Sequence, residues 1–166
     1  MTPQQLKLKA VLETLRITFK SYEHPPLPTC TEAQKLGLKR SGVQIKNLFL
    51  RDNRGKKHIL CLTRAHLKVD LKALSTQQKL SRLGLASTER LDKYLGVKPG
   101  CVSALALVND DKRAVELWLD NGLLNELEWQ CHPFENDKTW VLQQHDLYTF
   151  WRQTGHYPRI VDIPCL

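Results

Sequence analysis

Two apolar segments, IKNLFLRD at residues 45–52 and HILCLT at residues 58–63, are separated by the five residues NRGKK. Apolar runs of this length that flank a short, glycine-containing connection predict two antiparallel strands joined as a β-hairpin. SALALV (103–108) and AVELWLD (114–120) are separated in the same way by a polar stretch. They predict a second hairpin further along the chain.

Helical patterns lie around and between these strands. Apolar residues at helical spacing predict helices at residues 4–16, 70–80, 88–95 and 146–153, while alternation predicts strands at residues 17–22 and 139–143. Ser87 and Gly96 have the residue types that begin and end a helix, and Thr29 with Glu32 has capping-box spacing for a short one. HPPLP (24–28) is predicted to be irregular because proline removes backbone donors.

The fold class follows from the order of these elements. Strands arrive mostly as hairpins with helices between them, which favours an α+β domain with a mixed sheet over a regular βαβ repeat. The length of 166 residues and the ordinary globular composition indicate a single domain over residues 1–166.

The charge of the chain is strongly uneven. Residues 1–70 hold 14 lysines and arginines against 5 aspartates and glutamates, a net charge of +9, whereas residues 71–166 hold 11 against 12, a net charge of −1. A basic half suits a polyanionic partner, because lysines and arginines near phosphates release counterions and steer encounter. A solvated basic face that serves solubility is the alternative interpretation.

Several classes of protein are excluded by pattern. No apolar run approaches the roughly 20 residues that cross a bilayer, and the first residues lack a signal-peptide core, so we expect a cytoplasmic protein without membrane contact. Five cysteines without a C-x-x-C pair argue against a disulfide framework and a zinc site. No P-loop, dinucleotide fingerprint or hydrolase elbow occurs, so no cofactor is expected.

Three places in the chain could carry chemistry. Lys46, followed by Asn47, lies in an otherwise apolar strand, where a lysine is costly unless it faces a cleft, a phosphate or a carboxylate. Pro99 and Gly100 predict a tight turn that feeds a strand, and the exposed amides of such a turn could hold a developing oxyanion. His132 lies before Pro133 in a segment predicted to be a loop, where binding residues gather. By pattern alone, the simpler interpretations are favoured at all three places: a lysine that snorkels to water, a simple Pro-Gly turn and a surface histidine.

The same segments carry a resemblance that covers nearly the whole chain, from about Leu6 to Pro158. In order, the chain resembles the freestanding prolyl-tRNA editing proteins, which are aminoacyl-tRNA deacylases related to YbaK and to the editing insertion of bacterial prolyl-tRNA synthetase. The KNLFLRD form looks most like the subgroup that acts on alanyl-tRNA(Pro). The resemblance rests on IKNLFLRDNRGKKHIL, VDLKAL, LASTERLDKYLGVKPGCVSALALVNDD, VELWLD, CHPFEN and DLYTFWRQTGHYP.

The resemblance implies that the ester between a small wrong amino acid and the terminal ribose of tRNA(Pro) is hydrolysed without metal or covalent intermediate. A hydroxyl of the tRNA itself would help to activate the water, and prolyl-tRNA synthetase is a possible partner. Lys46 matches the family lysine that engages the tRNA end, and Gly100 matches the glycine whose loop faces the reacting carbonyl. His132 matches the histidine beside the pocket. The residues expected to bind substrate are Asn47, Cys101, Pro133 and Asn136.

The chain departs from the family pattern in two places. The family's G-x-x-x-P loop ends in Ala104, and the usual ENTAT stretch contains Asp137 and Lys138. Alanine lacks the fixed φ of proline, so we expect a less preorganised or differently shaped loop. Two alternative functions follow: a tRNA-binding module that has lost hydrolysis, and a cysteine hydrolase that uses Cys101 with His132.

Overall fold

A computed structural model of the chain describes residues 1–25 and 41–166. These residues form four α-helices and eight strands in two sheets, with two short 3-10 helices at Ala106–Asn109 and Asn121–Leu123. The helices are α1 (Pro3–Thr14), α2 (Leu71–Gln77), α3 (Thr88–Leu95) and α4 (Gln144–Thr154). The strands are β1 (Lys20–Glu23), β2 (Ile45–Arg51), β3 (His58–Arg64), β4 (Gly84–Leu85), β5 (Val115–Asp120), β6 (Glu128–Cys131), β7 (Lys138–Gln143) and β8 (Arg159–Val161).

The larger sheet has the order β4-β2-β3-β5-β8. β2 and β3 are antiparallel from the pair Ile45–Arg64 to the pair Arg51–His58, which confirms the predicted first hairpin. β5 runs parallel to β3 on one side and to β8 on the other. The sheet is therefore mixed, as predicted, within an α+β fold.

The predicted second hairpin is wrong. Residues 103–105 form a turn and Ala106–Asn109 is a 3-10 helix, so β5 has no antiparallel partner from this segment. The Asp110 carboxylate accepts hydrogen bonds from the amides of Ala114 and Val115 and thereby leads the chain into β5. The apolar residues 104–107 are fully buried in the core, which explains a strand-like composition without a strand.

The smaller sheet has the order β1-β7-β6 and is antiparallel throughout. The strand predicted at residues 17–22 begins only at Lys20, because the Ile17 amide still donates to the carbonyl of Leu12 at the end of α1. A parallel bridge between Val43 and Trp129 joins the start of β2 to β6. The two sheets are thus linked at this point.

The helix ends follow local rules. The Ser87 side chain accepts from the Arg90 amide at the start of α3, and Gly96 ends that helix with φ of 65°, as predicted. Thr2 and Gln5 form a reciprocal capping box at the start of α1. The predicted short helix that begins near Thr29 lies outside the described residues.

Two apolar clusters lie on opposite faces of the larger sheet. The larger cluster contains residues of both sheets and of α1, α3 and α4, including Trp129, Trp140 and Trp151. The smaller cluster lies against α2 and includes Leu50, Leu74 and Trp118. Side chains that alternate along β2 therefore reach one cluster or the other, which decides where each candidate residue of β2 can act.

Candidate active site

The first turn of α1 connects two loops that are far apart in sequence. The Gln5 side-chain amide is fully buried and donates to the carbonyl of Pro133 at 2.8 Å. The neighbouring Gln4 side chain donates to the carbonyl of Gly96 at 3.2 Å, and the Lys138 ammonium donates to the Gln5 side-chain oxygen at 3.3 Å. The loop at residues 132–137, here named the histidine loop, is thus attached to this helix end, and so is Gly96, which lies two residues before the turn at residues 98–101, here named the glycine turn.

The glycine turn has the hydrogen bond of a β-turn, from the Cys101 amide to the Lys98 carbonyl at 3.0 Å. Gly100 has φ of 81°, a conformation that glycine adopts at little cost, and it follows Pro99 as in a type II turn. Gly100 is exposed, and a Cβ atom at this position would meet no atom within 4 Å. The predicted turn is confirmed, whereas the strand predicted to follow it is wrong because residues 101–103 are irregular.

The hydrogen bond within the glycine turn also decides which of its backbone amides are free to donate to a substrate. The Cys101 amide is used by the turn itself. The Gly100 amide makes no backbone hydrogen bond within residues 1–25 and 41–166 and lies beside open space. Gly100 is therefore the donor of this turn that a carbonyl oxygen could approach.

The pKa of Cys101 in the glycine turn is affected by residues of the histidine loop, so the two segments lie close together. Burial raises the pKa of its thiol, the acidic residues Glu135 and Asp137 of the histidine loop raise it further, and Lys98 opposes them. A nucleophilic thiol needs a lowered pKa. Cys101 belongs instead to the larger apolar cluster, so its environment disfavours the hypothesis of a cysteine hydrolase.

His132 follows β6 directly and is partly buried. Its Nδ1 atom is buried and has no hydrogen-bond partner in the part of the chain that the structure describes. Burial lowers the pKa of His132, the backbone of Lys138 opposes this effect, and the nearby His24 adds to it. The imidazole is therefore neutral at pH 7 and keeps one nitrogen available as an acceptor.

Asn47 and Lys46 point to opposite faces of the larger sheet. Asn47 shares the face of Ile45 and Phe49, which belong to the larger cluster, and its buried Oδ1 atom has no partner among the described residues. Lys46 lies on the other face and its ammonium donates to the carbonyl of Leu67. The contacts within the described ranges do not join this ammonium to the glycine turn.

The bridge between Val43 and Trp129 joins the chain segments that lead to Asn47 and to His132. The bridge is parallel: the Val43 amide donates to the Glu128 carbonyl at 2.8 Å, and the Gln130 amide donates to the Val43 carbonyl at 2.9 Å. Asn47 lies four residues beyond the bridge on one strand, and His132 lies three residues beyond it on the other. A buried oxygen acceptor and a neutral imidazole thus each follow this bridge within four residues.

The remaining predicted residues have mainly structural contacts. Pro133 is buried and is attached through its carbonyl to α1, and Asn136 is half-buried in the histidine loop. Asp137 accepts a hydrogen bond from the His24 amide through its own carbonyl at 2.9 Å. The sequence prediction missed Gln5 and His24, although a glutamine three residues after a helix cap was a visible signal for the former.

A separate cavity of about 240 Å³ lies at the edge of β5, lined among others by Arg113, Trp118, Tyr157 and Arg159. None of the predicted site residues lines it. Among residues 1–25 and 41–166 no group of three metal-ligating side chains converges. Within the same residues no helix combines the length and the hydrophobicity needed to span a membrane.

Comparison with known proteins decides the family. Residues 24–150 match the model of the aminoacyl-tRNA editing domain. The chain belongs to this family. The match includes strands of both sheets, among them β2, together with the glycine turn and the histidine loop. The identification made from the sequence is therefore confirmed, as is the hydrolase class that the editing of aminoacyl-tRNA defines.

Individual relatives agree with this assignment. The chain is 33% identical to the prolyl-tRNA editing protein ProX of Acetoanaerobium sticklandii over 93% of this chain and 94% of the relative. It is 34% identical to prolyl-tRNA synthetase associated domain-containing protein 1 of Danio rerio, over 93% of this chain and 85% of the relative. The crystal structure of a proposed trans-editing enzyme for prolyl-tRNA synthetase superposes with a TM-score of 0.70 at 20% identity and covers 98% of each chain, which confirms the fold.

Proposed function

We propose that this chain is a trans-acting deacylase that hydrolyses the ester of mischarged tRNA(Pro), with alanyl-tRNA(Pro) as its main substrate. The observation that carries the proposal is that two buried polar atoms, Asn47 Oδ1 and His132 Nδ1, have no hydrogen-bond partner within residues 1–25 and 41–166. Buried polar atoms in proteins are nearly always hydrogen-bonded, so an orphaned pair calls for a ligand with matching groups. Both atoms are acceptors, and an aminoacyl ester offers matching donors in its ammonium group and in the neighbouring ribose hydroxyl.

The reaction is one hydrolysis. A water oxygen forms a bond to the ester carbonyl carbon, the bond from this carbon to the ribose oxygen breaks, and alanine and tRNA with a free hydroxyl leave. A hydroxyl of the terminal ribose assists the deprotonation of the water, and the neutral His132 orients the ester beside it. The amide of Gly100 donates to the oxygen that becomes negative, a contribution typically worth about 3 kcal/mol of barrier for one donor.

Charge supports the choice of an RNA substrate. The excess of +9 in residues 1–70 includes Lys46, which lies at the start of β2 and is partly exposed. Its ammonium lies on the face of the sheet opposite to Asn47, so it would contact a phosphate of the acceptor end away from the ester, by exchanging the carbonyl of Leu67 for a phosphate oxygen. Binding of this kind is strongly salt-dependent.

The substrate is chosen by size. Proline is larger than alanine by two carbon atoms and a ring closure, and a methylene in an apolar pocket contributes only about 1–3 kcal/mol to discrimination. A second site that admits small acyl groups therefore corrects errors that the synthetase cannot avoid, in the cytoplasm where charging occurs. Prolyl-tRNA synthetase is the partner whose products this enzyme would inspect.

A deacylation panel tests the proposal. Purified protein is incubated with alanyl-, cysteinyl-, seryl- and prolyl-tRNA(Pro), and the release of amino acid is followed with time. We expect fast release of alanine, slower release of serine and cysteine, and an unchanged lifetime of prolyl-tRNA(Pro). Equal lifetimes of all four esters with and without the protein would refute the enzymatic proposal.

Lys46→Ala tests the role of the ammonium within the same assay. We expect this variant to lose at least nine-tenths of the rate, because the nucleotide end is no longer held. Lys68→Ala is the matched control, since Lys68 is exposed, carries the same charge and lies in the same basic half. Equal losses in both variants would show that only the general positive charge matters.

One observation favours a second candidate function, a tRNA-binding module without hydrolysis. The Cys101 amide is used within the turn, so the glycine turn offers fewer donors to an oxyanion than a loop with two free amides. This function predicts salt-dependent binding of tRNA with a dissociation constant that does not depend on the attached amino acid. The same panel separates the two candidates, because binding without release of any amino acid supports the second one.

A further inference from the structure

The glycine turn continues directly into a second turn that is fully buried. The Ala106 amide donates to the Ser103 carbonyl at 3.1 Å, and the Leu105 amide donates to the Ser103 hydroxyl at 3.1 Å. Leu105 has φ of −87° and ψ of −10°, the values of the second central residue of a type I turn. Ala104 is therefore the first central residue, the position at which proline is favoured because its ring presets φ.

Ala104 is held by a contact from elsewhere in the chain. The indole Nε1 of Trp151 donates to the Ala104 carbonyl at 2.9 Å, and both residues have 0% exposure. Trp151 lies on α4, 47 residues further along the sequence. This hydrogen bond from α4 holds the turn, because Ala104 at its first central position does not restrict φ as a proline would.

The indole ring is itself immobilised. It packs against Trp129 with ring centroids 5.9 Å apart and against the edge of Tyr148 at 5.8 Å. Trp129 belongs to β6, the strand that leads into the histidine loop. The donor that holds Ala104 is therefore positioned by the same core that supports His132.

We propose that Trp151 is a positioning residue of the editing site, which holds the glycine turn in its productive shape through the Ala104 carbonyl. The proposal rests on the proposed function, because it assigns to the glycine turn a role in hydrolysis. Trp151 touches no substrate, and its effect reaches Gly100 through the three residues between Gly100 and Ala104. Loss of the bond lets the turn sample other shapes, and a displacement of about 1 Å of a catalytic donor can reduce a rate by up to a hundredfold.

Trp151→Phe tests this role because it removes the donor and keeps an aromatic ring. We expect kcat for alanyl-tRNA(Pro) to fall about tenfold, while the affinity for tRNA stays within twofold. Trp118→Phe is the matched control: Trp118 is also fully buried, but its indole nitrogen has no hydrogen-bond partner within the described residues. This control measures the change in kcat that follows when a buried indole is lost but no hydrogen bond is lost.

Rescue by proline makes the test specific. Ala104→Pro in the Trp151→Phe background restores the rigidity of the first central position without the indole, and no described hydrogen bond uses the Ala104 amide. We expect kcat of the double variant to return to within threefold of the original chain. A double variant as slow as Trp151→Phe, or equal losses of kcat in Trp151→Phe and Trp118→Phe, would overturn the proposal.

A readout without catalysis keeps the inference separate from the proposed function. Hydrogen exchange at the amides of Cys101 and Ala106 reports the two turns directly, because each amide donates within its turn. We expect both amides to exchange at least tenfold faster in Trp151→Phe and at an unchanged rate in Trp118→Phe. If Trp151→Phe does not fold, benzothienylalanine at position 151 removes the donor at constant ring size, and unchanged exchange in that protein would overturn the proposal.

If the original chain hydrolyses none of the esters, the proposed function fails while the exchange result still decides whether Trp151 positions the turn. If the original chain is active and exchange in Trp151→Phe is unchanged, the proposed function stands and the role of Trp151 falls. The two failures are therefore distinguishable.

Discussion

Replacement of Gly100 by alanine separates the stability of the glycine turn from its role in hydrolysis. Gly100 has φ of 81°, so an alanine must adopt the left-handed conformation at a cost of about 1–2 kcal/mol. A Cβ atom there meets nothing within 4 Å, so steric overlap adds no further cost. We expect the free energy of unfolding to fall by about 1 kcal/mol, which lowers the melting temperature by about 2–4 °C for a chain of this size.

The same methyl group enters the space that we assign to the ester. A protein with an ordinary stability of 5–15 kcal/mol remains folded after a loss of about 1 kcal/mol, so a large loss of activity cannot come from unfolding. We expect Gly100→Ala to reduce the rate of alanine release by about a hundredfold, because the methyl group keeps the ester oxygen away from the Gly100 amide, with the same effect as the loss of one oxyanion donor.

Urea denaturation and single-turnover deacylation of alanyl-tRNA(Pro) measure the two quantities. Gly55→Ala is the control: Gly55 also has a positive φ of 68°, and an added Cβ there meets the guanidinium end of the flexible Arg90 side chain. It lies in the connection between β2 and β3 and should lose stability without losing the rate. A Gly100→Ala protein with full activity would refute the placement of the ester. A loss of stability above about 3 kcal/mol would refute the open space beside the turn.

Three further predictions concern buried groups. Burial raises the pKa of Asp110, but the His156 imidazole and two backbone amides lower it more, so the ionised carboxylate stabilises the folded chain. This stabilisation is complete above about pH 4 and is lost below it. Asp110→Asn should reduce the free energy of unfolding at pH 7 by about 2–3 kcal/mol, measured by urea titration. Burial and the Arg90 guanidinium lower the pKa of His58. Below about pH 6.5 the unfolded chain therefore gains a proton that the folded chain does not, so stability is complete above this pH and falls as the pH drops. His58→Gln should make the urea midpoint less dependent on pH between about pH 5 and 8. Cys101→Ser should have a deacylation rate within about threefold of the original chain, because burial raises the pKa of the thiol. Loss of all activity in this variant would instead support the hypothesis of a cysteine hydrolase.

Patterns between neighbours in the sequence predicted much of this fold. The hairpin of β2 and β3, the helix between Ser87 and Gly96 and the turn at Gly100 depend on contacts within a few residues. Backbone preferences and side-chain caps act over this distance, so residue types alone reveal them. The family resemblance also followed from the sequence and carried the candidate residues with it.

Contacts between distant segments could not be predicted in this way. β5 pairs in parallel with β3 and β8 because burial on both faces outweighs the local preference for a hairpin. The opposite faces of Lys46 and Asn47, the attachment of Gln5 to Pro133 across 128 residues and the bond from Trp151 to Ala104 also depend on the complete packing. Residue types determined the short-range turns, helices and hairpin of this protein. The tertiary structure alone decided which polar atoms remain buried without a partner, because that depends on which distant segments close the core around them.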